Sequence, residues 1–491
     1  METLDWLVIG IFFLALIGII VWVVKQKQND SADYFLGGRD ATWLAIGASI
    51  FASNIGSEHL IGLAGAGASS GMAMAHWEIQ GWMILILGWV FVPFYSRSMV
   101  FTMPEFLERR YNPQSRTILS VISLISYVLT KVAVTVYAGG LVFQQVFGIK
   151  ELWGIDFFWI AAIGLVILTA LYTIFGGMKS VLYTSILQTP ILLLGSLIIL
   201  VLGFKELGGW DEMMRICGAV TVNDYGNTMT ELIRSNNDPN FPWLGALIGS
   251  AIIGFWYWCT DQFIVQRVLS GKNEKEARRG TIFGAYLKLL PVFLFLIPGM
   301  IAFALHQKYL GTGGEGFLPM LANGNANADA AFPTLVAKLL PAGVKGLVVC
   351  GILAALMSSL ASLFNSSAML FTIDFYKRFK PNTSEKKLVG IGQMATVAIV
   401  ILGILWIPIM RSVGDVLYTY LQDVQSVLAP GIAAAFLLGI CWKRTSAQGG
   451  MWGLIAGMII GLTRLGAKVY YSNVGDCLLY TSPSPRDVEE S

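Results

Sequence analysis

Apolar runs of about 20 residues recur along the whole chain, and short polar segments separate them. A run of that length can cross the hydrocarbon core of a bilayer as a helix, and backbone exposed to lipid must satisfy its own hydrogen bonds. The pattern therefore predicts an all-α integral membrane protein with about twelve transmembrane helices. Their predicted limits are 4–24, 43–64, 71–95, 117–147, 157–175, 180–203, 243–266, 278–305, 343–375, 388–410, 414–441 and 449–471.

The composition supports a surface that faces lipid. Only 13% of the 491 residues are charged and 55% are hydrophobic, whereas a soluble protein has roughly a quarter charged residues. The net charge of +3 is too small to indicate a nucleic-acid partner. The five cysteines have no CxxC spacing, so the sequence suggests neither a disulfide framework nor a zinc site.

The basic residues of the loops predict the orientation in the cell membrane. The first apolar run lacks a basic n-region and an A-x-A cleavage site, so we interpret it as a retained helix. With the N-terminus outside, most of the loop Lys and Arg residues fall on the inner side, as the positive-inside rule requires. The segments 204–242 and 306–342 then lie outside, and neither is expected to be an independent domain.

The end of the chain does not continue the pattern. The stretch from Cys477 to Asp487 is polar and Pro/Ser-rich, and it resembles translated adapter sequence. We expect residues 475–491 to be an artefactual tail on a truncated chain, and we exclude them from reasoning about the fold.

The second apolar run is interrupted in its middle by small and polar residues, between Ala52 and His59. An unwound membrane helix frees backbone carbonyls that can coordinate a small cation, and it offers side chains to a solute. The alternative is close helix packing through small residues, but the presence of Asn54, Glu58 and His59 in one segment favours a binding site.

A second polar segment contains Ser358, Ser359 and Ser362. Hydroxyls without a nearby carboxylate suit a weakly held monovalent cation, because calcium or magnesium would need several carboxylates. Packing between helices is again the alternative.

Two charges, Glu78 and Lys288, lie deep in apolar runs and should face the protein interior or water. A carboxylate accepts hydrogen bonds and an ammonium donates them, which matches the mixed needs of sugar hydroxyls. The alternative is a structural ion pair, formed by these two residues with each other.

Aromatic and amide side chains add to the candidate site. Trp256, Tyr257 and Trp258 stand next to one another, and aromatic faces pack against the C–H face of a pyranose. An interfacial aromatic belt is the alternative. Gln422 and Gln425 open another apolar run and are either site residues or helix-packing residues. The sequence has no Walker motif, His/Cys cluster or nucleophile elbow, so it does not suggest an enzyme.

Several motifs resemble the solute:sodium symporter family, most closely its sodium/glucose cotransporter branch, from about residue 5 to about residue 470. The motifs are Phe51-Ala-Ser-Asn-Ile-Gly-Ser57, Met103-Pro-Glu-Phe-Leu107, Trp256-Tyr-Trp-Cys-Thr-Asp-Gln262, Val265-Gln-Arg267, Tyr286-Leu-Lys-Leu289, Met357-Ser-Ser-Leu360 and Phe364-Asn-Ser366.

The resemblance implies a leucine-transporter-like core of two inverted five-helix repeats, with a discontinuous first helix. Family members typically have fourteen helices, so the chain would lack the last two. The implied parts are an extra N-terminal helix (1–42), the first repeat (43–203), an external loop (204–242), the second repeat (243–441) and a peripheral helix (442–474).

The resemblance also implies the site residues. Sodium would bind the carbonyls of three residues and the hydroxyls of two serines, namely Ala52, Ile55, Ala355, Ser358 and Ser359. The sugar would be hydrogen-bonded by four residues and lined by Asn54 and Trp258, with Tyr257 as an inner gate and Trp77 as an outer aromatic. The four hydrogen-bonding residues are His59, Glu78, Lys288 and Gln422.

Two positions depart from the family pattern. Ser185 stands where many members have Asp in a Tyr-Thr-Asp motif, and Ala361 stands where members with a second sodium site tend to have Thr. We therefore expect one sodium ion per solute. The expected activity is sodium-coupled uptake of a glucose- or galactose-like monosaccharide. The alternatives are a myo-inositol or other polyol symporter, and a sugar-gated sensor that does not accumulate sugar.

Overall fold

The computed structural model describes residues 1–474 apart from positions 27, 29, 57, 224, 239, 322–323 and 414–416. The side chains of residues 129–130, 409–424, 465 and 468–474 are also outside the described part. The predicted artefactual tail and the side chain of Gln422 therefore lie outside the described residues.

Helices account for nearly all of the described chain. The first half contains α1 Thr3–Lys25, α2 Ser31–Leu36, α3 Trp43–Asn54, α4 Ala64–Ser69, α5 His76–Ile79, α6 Met83–Ile86, α7 Val92–Ser98, α8 Met103–Arg110, α9 Pro113–Ser126, α10 Ala133–Phe147 and α11 Phe157–Leu207. The second half contains α12 Trp210–Gly218, α13 Trp243–Gly254, α14 Gln262–Leu269, α15 Glu274–Leu287, α16 Ile297–Gly311, α17 Ala331–Leu339, α18 Val344–Met369, α19 Lys377–Phe379, α20 Glu385–Val413, α21 Leu417–Cys441 and α22 Ala447–Val474.

Wider and tighter turns join several of these helices into longer ones. The π-helical segments are Glu58–Leu63, Leu87–Phe91, Tyr127–Val132, Phe255–Thr260, Val292–Leu296 and Leu370–Tyr376. The 3-10 segments are Gly37–Arg39, Gly71–Ala75, Gln80–Trp82 and Ala328–Ala330. The strands β1 Glu151–Leu152 and β2 Ile155–Asp156 form a small antiparallel hairpin before α11.

Seven helical stretches in the described part are long and apolar enough to cross a membrane, and each predicted span overlaps a helix. Burial separates peripheral from central helices. Only 22% of the most apolar window of α1 is buried, whereas 94% of the window in Val344–Phe379 is buried. The segment that carries Ser358 and Ser359 is therefore the centre of the bundle, and α1 is peripheral.

The predicted interruption of the second apolar run is present. Helix α3 ends at Asn54, Ile55 has extended backbone (φ −79°, ψ 102°), and a π-helical segment begins at Glu58. Gly56 makes this break compact, because a Cβ at this position would lie 2.9 Å from the Ser359 hydroxyl.

A second break, which the sequence did not predict, follows the aromatic run. The π-helical segment Phe255–Thr260 ends at Asp261, whose backbone is extended (φ −73°, ψ 128°). The Asp261 carboxylate then accepts a hydrogen bond from the Phe263 N–H at 3.1 Å and so caps α14. Each half of the described chain thus contains an interrupted helix at the core.

The connection predicted between the spans 157–175 and 180–203 is present, but it is shorter than expected. Lys179, which the predicted limits place in a loop, belongs to the helical stretch α11, which runs from Phe157 to Leu207 with a kink between its two halves. The chain changes direction inside α11 at Gly177, which has φ 53° and ψ −148°. A Cβ there would lie 2.4 Å from the Tyr34 carbonyl oxygen. Only glycine adopts this backbone without strain, so the glycine replaces a connecting loop.

The first helix is attached to the central helix by a cap. The Asp5 side chain accepts hydrogen bonds from the Gly343 and Gly346 N–H groups, at 2.7 and 2.8 Å. These N–H groups belong to the first turn of α18, which has no intrahelical partners for them. An aspartate at this end also complements the helix dipole.

Candidate solute and sodium sites

Four of the predicted solute-binding side chains meet in one buried cluster. The Lys288 ammonium lies 2.6 Å from a Glu78 carboxylate oxygen and donates to Asn54 Oδ1 at 2.5 Å. It also lies 2.8 Å from His59 Nε2. All four residues are nearly inaccessible, with exposed fractions of 3–6%. The ion pair between Glu78 and Lys288, which the sequence left open, is therefore present, and it belongs to a larger polar cluster.

His59 gives this cluster unused hydrogen-bonding capacity. Its Nε2 lies 3.2 Å from Glu78 Oε1 as well as close to the Lys288 ammonium. One ring nitrogen cannot accept from the ammonium and donate to the carboxylate at the same time. Its Nδ1 is buried and has no hydrogen-bond partner among the described residues. A hydroxyl group, which both donates and accepts, is suited to such a cluster.

Two aromatic residues of the Phe255–Thr260 segment adjoin the cluster. Asn54 Nδ2 donates to the Tyr257 hydroxyl at 2.9 Å, and the Trp258 ring lies 5.5 Å from the Lys288 ammonium. All six residues of the segment are buried. The interfacial belt that the sequence left open is therefore not supported, because a belt residue would face the membrane surface.

The cluster borders a narrow cavity of about 40 Å³. Trp77, the predicted outer aromatic, is half-buried at this cavity, and its ring is tilted against His76 with ring centroids 4.9 Å apart. The cavity is lined by Asn54, Glu58, His59, Trp77, Glu78, Gln80, Ile253, Tyr257, Trp258, Lys288 and Gln425. A cavity of this size holds only a few water molecules, since one buried water needs at least about 10–15 Å³, so a ring-sized solute requires the cluster to open.

Three further polar residues line this cavity, namely Glu58, Gln80 and Gln425. The sequence placed Glu58 in the segment that favours a binding site and left Gln425 open between a site role and a packing role, but it gave Gln80 no role. Each one interrupts an apolar run, and Gln425 follows Gln422 by about one helical turn, so the sequence contained a signal for them. The Gln80 side-chain oxygen is buried without a hydrogen-bond partner in the described part of the chain.

The predicted sodium ligands lie where the first break meets α18. The Ser359 hydroxyl lies 2.7 Å from the Ser53 carbonyl oxygen and 3.4 Å from that of Ile55. The last carbonyls of a helix have no intrahelical partner, and Ala52 is in the last turn of α3. The break therefore directs two carbonyl oxygens, those of Ser53 and Ile55, toward one serine of the central helix.

Ser358 faces a different neighbour. Its hydroxyl oxygen lies 3.4 Å from that of Ser185, the residue that departs from the family motif. The Ser358 carbonyl accepts a hydrogen bond from Ser362 at 2.7 Å, and Ala355 is buried one turn before it. This region offers neutral oxygen atoms, the kind of donor that a hard monovalent cation takes.

The two interrupted helices and the buried polar site define a class of protein, the membrane transporters that bind a solute between helix breaks. A family model described as the sodium:solute symporter family matches residues 34–457. The chain belongs to this family, and it is therefore a sodium-coupled symporter and not an enzyme.

Individual relatives agree with this assignment. The chain is 39% identical to the human protein named sodium/myo-inositol cotransporter 2, over 95% of this chain and 70% of that protein. It is 38% identical to the mouse protein named sodium/glucose cotransporter 4, over 96% of this chain and 70% of that protein. The fold is similar to the substrate-bound outward-open state of a Na⁺-coupled sialic acid symporter, with a TM-score of 0.75, 22% identity and coverage of 94% of this chain and 98% of that one.

Proposed function

We propose that the protein carries a small uncharged polyhydroxy ring, a hexose or a cyclitol, together with sodium. The observation that supports this most is the buried cluster of Lys288, Glu78, His59 and Asn54. It combines a cation, an anion, a ring nitrogen without a partner and an amide within a few ångströms. Such a set can both donate to and accept from adjacent hydroxyl groups.

The solute would replace contacts that the cluster now makes within itself. An ammonium that leaves Asn54 can donate to a ring hydroxyl, and the Glu78 carboxylate can accept from one. The faces of Tyr257 and Trp258 would pack against C–H groups, and Trp77 would cover the cavity from another side. Gln422 remains a proposed ligand on the strength of the family motif alone.

We assign sodium to the carbonyls of Ala52, Ile55 and Ala355 and the hydroxyls of Ser358 and Ser359. The contact of Ser359 with the end of α3 supports this assignment. Sodium between α3 and α18 would hold the break in one shape, and the same break carries Asn54 and His59. Each ligand would then favour binding of the other, and this coupling is reciprocal.

One sodium ion supplies enough free energy for strong accumulation. A membrane potential of 100 mV contributes about 2.3 kcal/mol per charge, and a tenfold sodium gradient adds about 1.4 kcal/mol. Their sum sustains a solute gradient of several hundred-fold at a stoichiometry of one.

We further propose that the protein lies in the plasma membrane with its N-terminus outside, and that residues 43–203 and 243–441 are the two inverted repeats. The interrupted helix in each of these ranges supports the division. Residues 1–42, which include α1, precede the repeats, and 442–474, which include α22, follow them.

Two solutes deserve direct comparison. Relatives named for myo-inositol and for glucose differ by only a percentage point in identity, and both solutes are rings with several hydroxyls. A glucose-like pyranose differs from a cyclitol by a ring oxygen and a hydroxymethyl group, so Glu78 and Lys288 suit either one.

Uptake into proteoliposomes tests the proposal. Labelled glucose, galactose and myo-inositol are offered with an inward sodium gradient, and again with potassium in place of sodium. We expect accumulation of at least one of the three with sodium only. Currents without accumulation would indicate a sensor, and equal uptake in potassium would contradict sodium coupling of this solute.

A further inference from the structure

A buried ion pair lies beneath Tyr257 and belongs to neither of the sites assigned above. The Lys131 ammonium lies 2.7 Å from Asp261 Oδ2, and the side chains of both residues are less than a twentieth exposed. Lys131 belongs to the π-helical segment Tyr127–Val132, and Asp261 forms the second helix break. The pair therefore joins the two halves of the chain across their core.

The Asp261 carboxylate has all of its oxygen atoms engaged. One oxygen accepts from the Tyr127 hydroxyl and from the Phe263 N–H, and the other faces Lys131. A charge at this depth is costly unless it is paired. Lys131 is thus held in one place by a fixed partner.

Aromatic rings surround the same ammonium. The Tyr257 ring centroid is 4.6 Å from Lys131 Nζ, and that of Phe263 is 4.9 Å away. Tyr127 and Trp256 follow at 5.1 and 5.6 Å. All four distances are within the range of cation–π attraction, which is stronger where water is excluded. Tyr257 makes the closest of these contacts.

Tyr257 is consequently held from two directions. Its hydroxyl accepts from Asn54, which also accepts from Lys288 in the solute cluster. Its ring contacts the Lys131 ammonium. Lys131 also shares a cavity of about 10 Å³ with Ser359 and Gly56, next to the proposed sodium ligands. A movement of Tyr257 would therefore change the contacts at both the proposed solute site and the proposed sodium site.

We propose that Lys131 is a positioning residue for Tyr257: its ammonium, neutralised by Asp261, holds the tyrosine ring closed beneath the solute and sodium sites. The ion pair between Lys131 and Asp261 must shift before the solute or sodium can leave past Tyr257. The inference rests on the proposed function and on the inner-gate role that the family motif implies for Tyr257. A purely structural ion pair would join the same helices without controlling the exit.

A measurement of sodium leakage distinguishes a positioning role of Lys131 from a purely structural role. The double variant Lys131→Met with Asp261→Asn removes both charges and keeps the side chains close to their original size. We expect its uptake of radioactive sodium without any solute to rise about tenfold over the original protein, because the gate loses its cation–π contact. Solute accumulation should fall in the same variant.

Two double variants serve as controls. One keeps the charges at positions 131 and 261, and the other removes the charges of a different ion pair. Lys131→Arg with Asp261→Glu retains both charges and should restore most of the low leakage. Arg234→Met with Asp238→Asn neutralises another buried pair, whose side chains are 2% and 0% exposed, and should leave sodium leakage unchanged. Unchanged leakage in the neutral Lys131 and Asp261 variant would overturn the proposal.

Folding failure does not leave the question open. If the neutral double variant is not monodisperse, Asp261→Asn alone is assayed in the same way, since an amide still accepts from Tyr127 and Phe263 while it releases Lys131. The same rise supports the proposal and unchanged leakage overturns it. Failure of the original protein to accumulate a hexose or cyclitol would instead refute the proposed function, because leakage is measured without solute.

Discussion

At the scale of residues, the sequence located the site by its polar interruptions. Glu78 and Lys288 were recognisable because each charge lies deep in an apolar run, and they lie 2.6 Å apart. Lys131 is equally buried, yet the sequence did not single it out, because its partner Asp261 is remote in the chain. Pairing between distant segments is a property of the fold, and no local pattern reports it.

Replacement of Lys288 by alanine should weaken solute binding. The ammonium is central to the proposed site, and hydrogen bonds to charged groups contribute about 1.5–3 kcal/mol. We expect the half-saturating solute concentration in uptake to rise by at least about tenfold, with stimulation by sodium retained. Lys272→Ala, at an exposed loop lysine, is the control. An unchanged half-saturating concentration would remove Lys288 from the site.

The two central serines should differ in their effect on sodium. Ser359 contacts the carbonyls of the α3 break, whereas Ser358 faces Ser185. Ser359→Ala should raise the half-activating sodium concentration by about tenfold, and the double variant with Ser358→Ala should abolish sodium dependence. Thr169→Ala removes a buried hydroxyl that bonds only to its own helix and serves as the control. Normal sodium-driven uptake by the double variant would reject the assignment.

Asp329 should make stability depend on pH. Burial raises its pKa from 3.8 to about 6, so the folded state binds the proton more tightly than the unfolded state. The stabilisation is complete below about pH 4 and is lost as pH rises through about 6. Asp329→Asn should therefore raise the free energy of unfolding by about 1–3 kcal/mol at pH 7.5 and change it little at pH 4. Thermal unfolding at both pH values measures this, and an equal effect at both would refute the pKa shift.

At the scale of elements, the lengths of the apolar runs predicted where the helices lie. They did not predict every position at which the chain breaks a helix or changes direction. The break between Ala52 and His59 was predicted because polar residues interrupt an apolar run. The break at Asp261 follows a largely apolar and aromatic segment, and only the capping carboxylate signals it. The position of the turn at Gly177 was predicted from the gap between two apolar runs, but its tightness was not, because the sequence does not show that Gly177 has a positive φ.

Gly177→Ala should destabilise the protein. A side chain there would meet the Tyr34 carbonyl, and the backbone conformation is unfavourable for alanine. We expect a loss of about 1–3 kcal/mol, seen as a lower thermal midpoint in detergent. Gly164→Ala is the matched control in the same helix, where nothing lies within 4 Å, and it should be neutral or slightly stabilising. Equal midpoints for the two variants would contradict this explanation of the turn.

At the scale of the whole molecule, hydropathy was sufficient for the class of fold. Low charge and repeated apolar runs predicted the helical membrane protein, and the motifs predicted the family that the family model confirms. The number of spans stays a prediction. The identity of the solute could not be derived, because a cavity of about 40 Å³, in which Lys288, Glu78 and Asn54 bind one another, is too small to show the shape of a ring-sized ligand.

Transport should move one positive charge per solute molecule. Ala361 has no side-chain oxygen for a second ion, and Ser185 has no carboxylate. Simultaneous measurement of current and labelled solute flux in proteoliposomes should therefore give a charge-to-solute ratio near one. A ratio of two would require a second sodium site, and Ser185→Ala would then show whether that site includes Ser185.

The cap that Asp5 provides to α18 has a consequence for biosynthesis. The carboxylate and the Gly343 N–H it accepts from are separated by 338 positions. At a synthesis rate of about 5–20 residues per second, this distance corresponds to roughly 20 to 70 s. Throughout that time α1 lacks the hydrogen bonds that its Asp5 carboxylate accepts, and its attachment must await a helix that the ribosome makes much later.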